Sequence, residues 1–62
     1  MKLVGENKIE NMIIALDNNE KVSRWCIMRN YHLLIDYIQD NSQYQYLKNE
    51  IDLQFDMAKE SL

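Results

Sequence analysis

The chain has 62 residues, 7.5 kDa, no proline, one glycine, one cysteine, one histidine and a formal net charge of −3. A domain of about 60 residues buries roughly 60% of the surface its unfolded chain exposes, so this is one small domain (residues 1–62) with no room for a walled substrate pocket. A lone Cys26 forms no intrachain disulfide, and one histidine with one cysteine falls short of an all-protein zinc site, so neither a disulfide framework, a metal nor another cofactor is expected.

The N-terminus offers two consecutive apolar residues, Leu3 and Val4, where a secretory signal needs about 7–15. The longest apolar run, Met12 to Leu16, is five residues long, far short of the roughly 20 that cross a bilayer. With a free thiol, these features predict a cytoplasmic protein without membrane contact. Asn, Ile, Lys and Tyr supply 23 residues and Gly, Ala, Pro and Arg only five, the codon bias of an AT-rich genome such as that of a low-GC bacterium or its phage.

Residues 1–5 are read as an arm or a loose chain end. The first helix is predicted over residues 6–16: Ile9, Met12, Ile13 and Leu16 recur at i, i+3, i+4 and i+7, with Ile14 off that face. Asp17-Asn18-Asn19 breaks the pattern, and Asp17 with Glu20 three residues on resembles a capping box opening the next helix.

The second helix is predicted over residues 19–39 as one element. Ile27, Met28, Tyr31, Leu34, Ile35 and Ile38 form one arc, and Val22, Cys26, Leu33 and Tyr37 a second. An apolar surface wrapping most of a helix must meet more than one neighbour. Its polar side carries Trp25, Arg29, His32 and Asp36. Trp25 and Arg29, at i, i+4, have the spacing for cation–π stacking, and both residue types are enriched in interface hot spots. His32 and Asp36 could supply two members of a nucleophilic triad, but Cys26 lies on another arc, so the pair is read as solvent-facing.

Asp40-Asn41-Ser42 makes the second break, with Ser42 and Gln45 spaced as a capping box. The third helix is predicted from Ser42 to about Glu60. Tyr44, Leu47, Ile51, Phe55, Ala58 and Leu62 form its inner stripe; Tyr46, Leu53 and Met57 form another, read as an intersubunit or partner contact. Asp52, Asp56 and Glu60 make an acidic row at i, i+4, i+8, a solvated face or one turned to a basic partner.

The fold class expected is therefore all-α: two or three short antiparallel helices, completed by dimerisation into a helical bundle, since small single-core chains gain missing apolar area by association. Charge is uneven, +1 over residues 1–35 and −4 over residues 36–62, the opposite of a basic phosphate-binding stripe, so direct nucleic-acid binding is not expected. Lys48-Asn49-Glu50-Ile51-Asp52 is faintly similar to the Ser-Gln-Glu-Leu-Asp signature of the small helical aspartyl-phosphate phosphatases that regulate sporulation. Glu50 and Asp52 match in place, while the Ser and Gln are absent and the match covers five residues, so the resemblance is not adopted. The reading is a non-catalytic regulator or inhibitor that binds another protein, itself a nucleic-acid-binding or signalling protein, and forms a homodimer. The partner-binding candidates are Trp25, Arg29, Tyr46, Asp52, Leu53, Asp56 and Met57. The alternatives are a phosphatase-like regulator and a nucleic-acid-binding module.

Overall fold

The computed structural model describes residues 4–62, with side chains from residue 7 onward. Its elements are α1 (Val4–Asp17), α2 (Arg24–Arg29), α3 (Tyr31–Asp40), a 3₁₀ helix (Ser42–Leu47) and α4 (Lys48–Glu60). No strand occurs among the described residues. The all-α class therefore stands, with four α-helices in place of two or three. Of the arm expected over residues 1–5, residues 1–3 lie outside the described residues, and α1 already begins at Val4.

The first break works differently from the expectation. Asn19 has φ 61°, the left-handed region, the amide of Glu20 donates to the Ala15 carbonyl at 2.8 Å, and the Asn19 amide donates to Leu16 at 3.1 Å. These two bonds are the pair of a Schellman cap, with asparagine where glycine is usual. Asp17-Asn18-Asn19 thus closes α1 instead of opening the next helix. Residues 20–23 run non-helically, and α2 starts five residues later than predicted, behind Ser23, which makes no side-chain cap bond.

The long second helix is not one element. It stops at Asn30, whose backbone (φ −113°, ψ 19°) leaves the helical region. The Asn30 side-chain amide donates to the Cys26 carbonyl at 2.8 Å, while its own carbonyl accepts the first α3 bond from Leu34 at 2.9 Å. Asparagine side chains compete with the helix for backbone groups in this way. The break resolves the wrapped apolar surface: α2 packs chiefly on α4, whereas α3 packs on the 3₁₀ helix, α1 and α4. Most of the second arc is covered within the chain, Val22, Cys26 and Tyr37 being half-buried against the core, and Leu33 alone of that arc stays outside.

Asn41 repeats the device at the end of α3, its amide donating to the Tyr37 carbonyl at 2.9 Å. The segment that follows is 3₁₀, and Ser42 lies within it without a cap bond, so the capping box is not formed. In a 3₁₀ helix residues i and i+3 eclipse, which sets Tyr44 and Leu47 on one side. Tyr44 lies beside Tyr37 (ring centroids 6.2 Å apart) and Leu47 is buried.

The core joins Ile9, Met12, Ile13, Ile27, Leu34, Ile38, Leu47 and Ile51. The inward stripes of α1 and α4 are those read from the spacing, Ile14 stands outside as expected, and Leu62 lies beyond α4, 84% exposed. Replacing Asn19 tests the cap. Asn19→Gly should keep or slightly raise Tm, since glycine enters the left-handed region without strain, whereas Asn19→Val should cost about 1–2 kcal/mol, read by thermal denaturation followed by circular dichroism.

Candidate functional site

The seven candidate residues fall into three places. Trp25 and Arg29 lie one turn apart on α2, both exposed, Trp25 at 39%. Because α2 ends at Asn30, His32 and Asp36 belong to α3, and the four-residue cluster expected on one helix is divided between two. Arg29 is not stacked on Trp25; the cation–π contact among the described residues is Lys59 Nζ, 4.7 Å from the Phe55 ring centroid. His32 and Asp36 are both exposed.

Tyr46, Leu53 and Met57 form the second place. Tyr46 is 61% and Leu53 52% exposed, and Met57 is half-buried. The Tyr46 hydroxyl donates to Asp17 Oδ1, fastening the 3₁₀ helix to the end of α1 and leaving the ring on the surface. Leu53 and Met57 follow at i, i+4 on α4, facing away from the core. At about 100° per residue, Glu50, Asp56 and Glu60 all lie within roughly 60° of Leu53, while Lys48 and Lys59 lie more than about 100° away. The outer side of α4 is thus an apolar ridge with acidic edges.

The third place is Asp52, which spacing alone left without a structural purpose. Its Oδ1 accepts a hydrogen bond from the Tyr31 hydroxyl at 2.5 Å, and its Oδ2 pairs with Lys48 Nζ at 2.7 Å. The Tyr31 ring stacks on Phe55 with centroids 4.1 Å apart and planes inclined by 28°, and Lys59 caps the other ring. Asp56 approaches Lys59 at 3.9 Å with both side chains mostly exposed, a pairing of little energetic weight. The acidic row is accordingly not uniform: Asp52 ties α3 to α4, while Asp56 and Glu60 face solvent.

The Lys48 ammonium and then the Tyr31 hydroxyl hold the Asp52 carboxyl below the usual carboxylate range. The same hydrogen bond, followed by burial, pushes the Tyr31 phenol up, and the Asp52 carboxylate raises Lys48. Glu50 and Asp52, the two matched residues of the pentad, do not share a face: Glu50 is exposed and accepts from Gln54 Nε2 at 2.9 Å. The Lys48–Asp52 and Asp56–Lys59 spacings were readable in the sequence. Tyr31, 21 residues before Asp52, was not.

Among the described residues no group of His, Cys, Asp or Glu is placed to hold a metal ion, and no helix is long and apolar enough to cross a membrane. Grooves run along the surface instead. One of about 600 Å³ lies between α1 and residues 21–23. Another, of about 380 Å³, lies between the end of α1, Tyr46 and Glu50. Compared with known proteins, the chain matches no family model, no curated protein and no solved structure.

The Tyr31–Asp52 bond fixes a pH dependence. Asp52, with a lowered folded pKa, contributes stability that is fully present above the ordinary value of about 3.9 and is lost as pH falls through its lower folded value. Tyr31, with a raised folded pKa, contributes stability that is present below about 10 and is lost as pH rises through its folded value. Tyr31→Phe keeps the ring stack and removes the hydroxyl. It should cost about 1–2 kcal/mol at neutral pH and flatten the alkaline limb of Tm against pH. Part of the acid limb should persist, because Lys48 still pairs with Asp52.

Proposed function

We propose that the chain is a small non-catalytic regulator or inhibitor that acts by binding another protein, and that it is a homodimer. The observation that carries this reading is that, of the large apolar side chains left outside the core (Ile14, Trp25, Leu33, Tyr46, Leu53 and Leu62), Trp25, Tyr46 and Leu53 are the candidates read from the sequence. Isolated exposed apolar residues are ordinary. Here Leu53 and Met57 sit one turn apart between carboxylates, and Trp25 sits one turn from an arginine, each an arrangement that suits a contact with an apolar centre and a polar rim.

The two surfaces divide the work. The Trp25–Arg29 face of α2 serves the partner, and the Tyr46–Leu53–Met57 ridge serves self-association. The partner fitting the acidic second half of the chain is a nucleic-acid-binding or signalling protein with a basic surface. The setting proposed is the cytoplasm of a low-GC bacterium, or of one infected by its phage.

Capture on the tagged protein, followed by binding kinetics with the captured partner, tests the reading. Trp25→Ala should raise the dissociation rate, since losing an aromatic anchor costs about 2 kcal/mol, roughly thirtyfold in affinity. Raising salt should slow chiefly the association step, since the acidic second half of the chain would steer a basic partner. Asp52 is a poorer probe, because its loss would also break the α3–α4 contact. Variants that fold and bind like the parent would place the contact elsewhere.

A further inference from the structure

The groove between α1 and residues 21–23 has a floor of Met12, Ala15 and Val22, buried or half-buried, and edges carrying Lys8 and Lys21, both exposed. The remaining lining is neutral, Asn7, Asn11 and Ser23, and contains no carboxylate. Neither lysine takes part in an ion pair among the described residues. The groove is thus shallow and open, with an apolar floor and cationic edges. The outer face of α4 is its chemical counterpart, an apolar ridge of Leu53 and Met57 edged by Glu50, Asp56 and Glu60.

We propose that the occupant of this groove is the α4 ridge of a second copy of the same chain. The inference rests on the self-association proposed above and specifies where it happens. Leu53 and Met57 would cover Met12, Ala15 and Val22, while the lysines at the edges meet the carboxylates beside the ridge. Groove and ridge are separate patches of one chain, so a two-fold arrangement forms the contact twice: the ridge of each copy fills the groove of the other. Each chain carries −3 overall, so two copies repel at long range, and association depends on this local matching of opposite charges.

Charge reversal followed by restoration tests the contact better than added salt, which screens the attraction and the overall repulsion together. Sedimentation equilibrium from micromolar to millimolar concentration should give twice 7.5 kDa for the parent. Lys8→Glu with Lys21→Glu should weaken dimerisation by at least about tenfold, because like charges then face each other across both contacts. Asp56→Lys with Glu60→Lys, added to that variant, should recover most of the loss, and Leu53→Glu alone should also weaken dimerisation. All five substituted positions are exposed, and circular dichroism of each variant confirms that the fold is kept. A parent that stays at 7.5 kDa throughout would overturn self-association and this site together. A dimer indifferent to the lysine reversal, or one that the α4 reversal fails to restore, would overturn the site and leave self-association standing.

Discussion

A chain with no proline and a single glycine, at position 5, has to stop its helices by other means, and everything about this fold depends on how it does so. Asparagine takes the task at three places. Asn19 enters the left-handed region and completes the cap of α1, and the side-chain amides of Asn30 and Asn41 each bond to the carbonyl four residues back. The stop at Asn30 matters most. Uninterrupted, residues 24–40 would direct Ile27, Leu34 and Ile38 along one arc toward one neighbour. Interrupted, α2, which carries Ile27, packs chiefly on α4, while α3, which carries Leu34 and Ile38, packs on the 3₁₀ helix, α1 and α4. Each of the four α-helices then supplies at least one fully buried side chain: Ile13, Ile27, Leu34 with Ile38, and Ile51.

A core this small leaves much of the work of holding the elements together to contacts at its edge, and magnitudes separate those that matter. Exposed pairs such as Asp56–Lys59 contribute about 0–1 kcal/mol. The Tyr31–Asp52 bond is different in kind: short, half-buried, accepted by a charged group and backed by the stacking of Tyr31 on Phe55. Hydrogen bonds to charged groups contribute about 1.5–3 kcal/mol, and an aromatic pair adds about 0.5–1.5. One tyrosine therefore joins α3 to α4 through both its hydroxyl and its ring. Asp52, which looks like a component of an exposed acidic face, belongs instead to the structure.

The legible part of the fold is the part governed by period. The inward residues of α1 and of the stripe through the 3₁₀ helix and α4 recur at 3.6-residue spacing, and the structure buries Ile9, Met12, Ile13, Leu47, Ile51 and Ala58 while leaving Ile14 outside. The illegible part is governed by side chains that act on the backbone. One asparagine inside a long helical pattern costs only a fraction of a kcal/mol in propensity, so Asn30 reads as tolerated until tertiary packing rewards the break. Asp17-Asn18-Asn19 contains the residue types of both an N-cap and a C-cap, and the direction in which it acts depends on the chain that follows. The 3₁₀ helix keeps Tyr44 and Leu47 on the same side as an α-helix would, so the stripe alone does not distinguish them. Of the candidate site, the exposure of Tyr46 and Leu53 followed from their place off the main stripe, whereas the engagement of Asp52 depended on a partner 21 residues away.

The segregation of charge along the sequence acquires a spatial meaning in this fold. Lys8 and Lys21, from the weakly basic first half, edge a groove with an apolar floor; Glu50, Asp56 and Glu60, from the acidic second half, edge an apolar ridge on α4. If groove and ridge meet between copies as proposed, they have two ways to do so. If the rotation between copies brings both contacts together at once, assembly ends at two and both apolar surfaces are covered. If it does not, each new copy leaves one groove and one ridge free, and growth continues. For a chain of 62 residues the first course has a further consequence. Closing both contacts covers Leu53 and Met57 and adds apolar burial to a domain whose own core is at the lower limit for stability. In that arrangement folding and association would reinforce each other, and the Trp25–Arg29 face of α2, which takes no part in either proposed contact, would stay exposed on both copies.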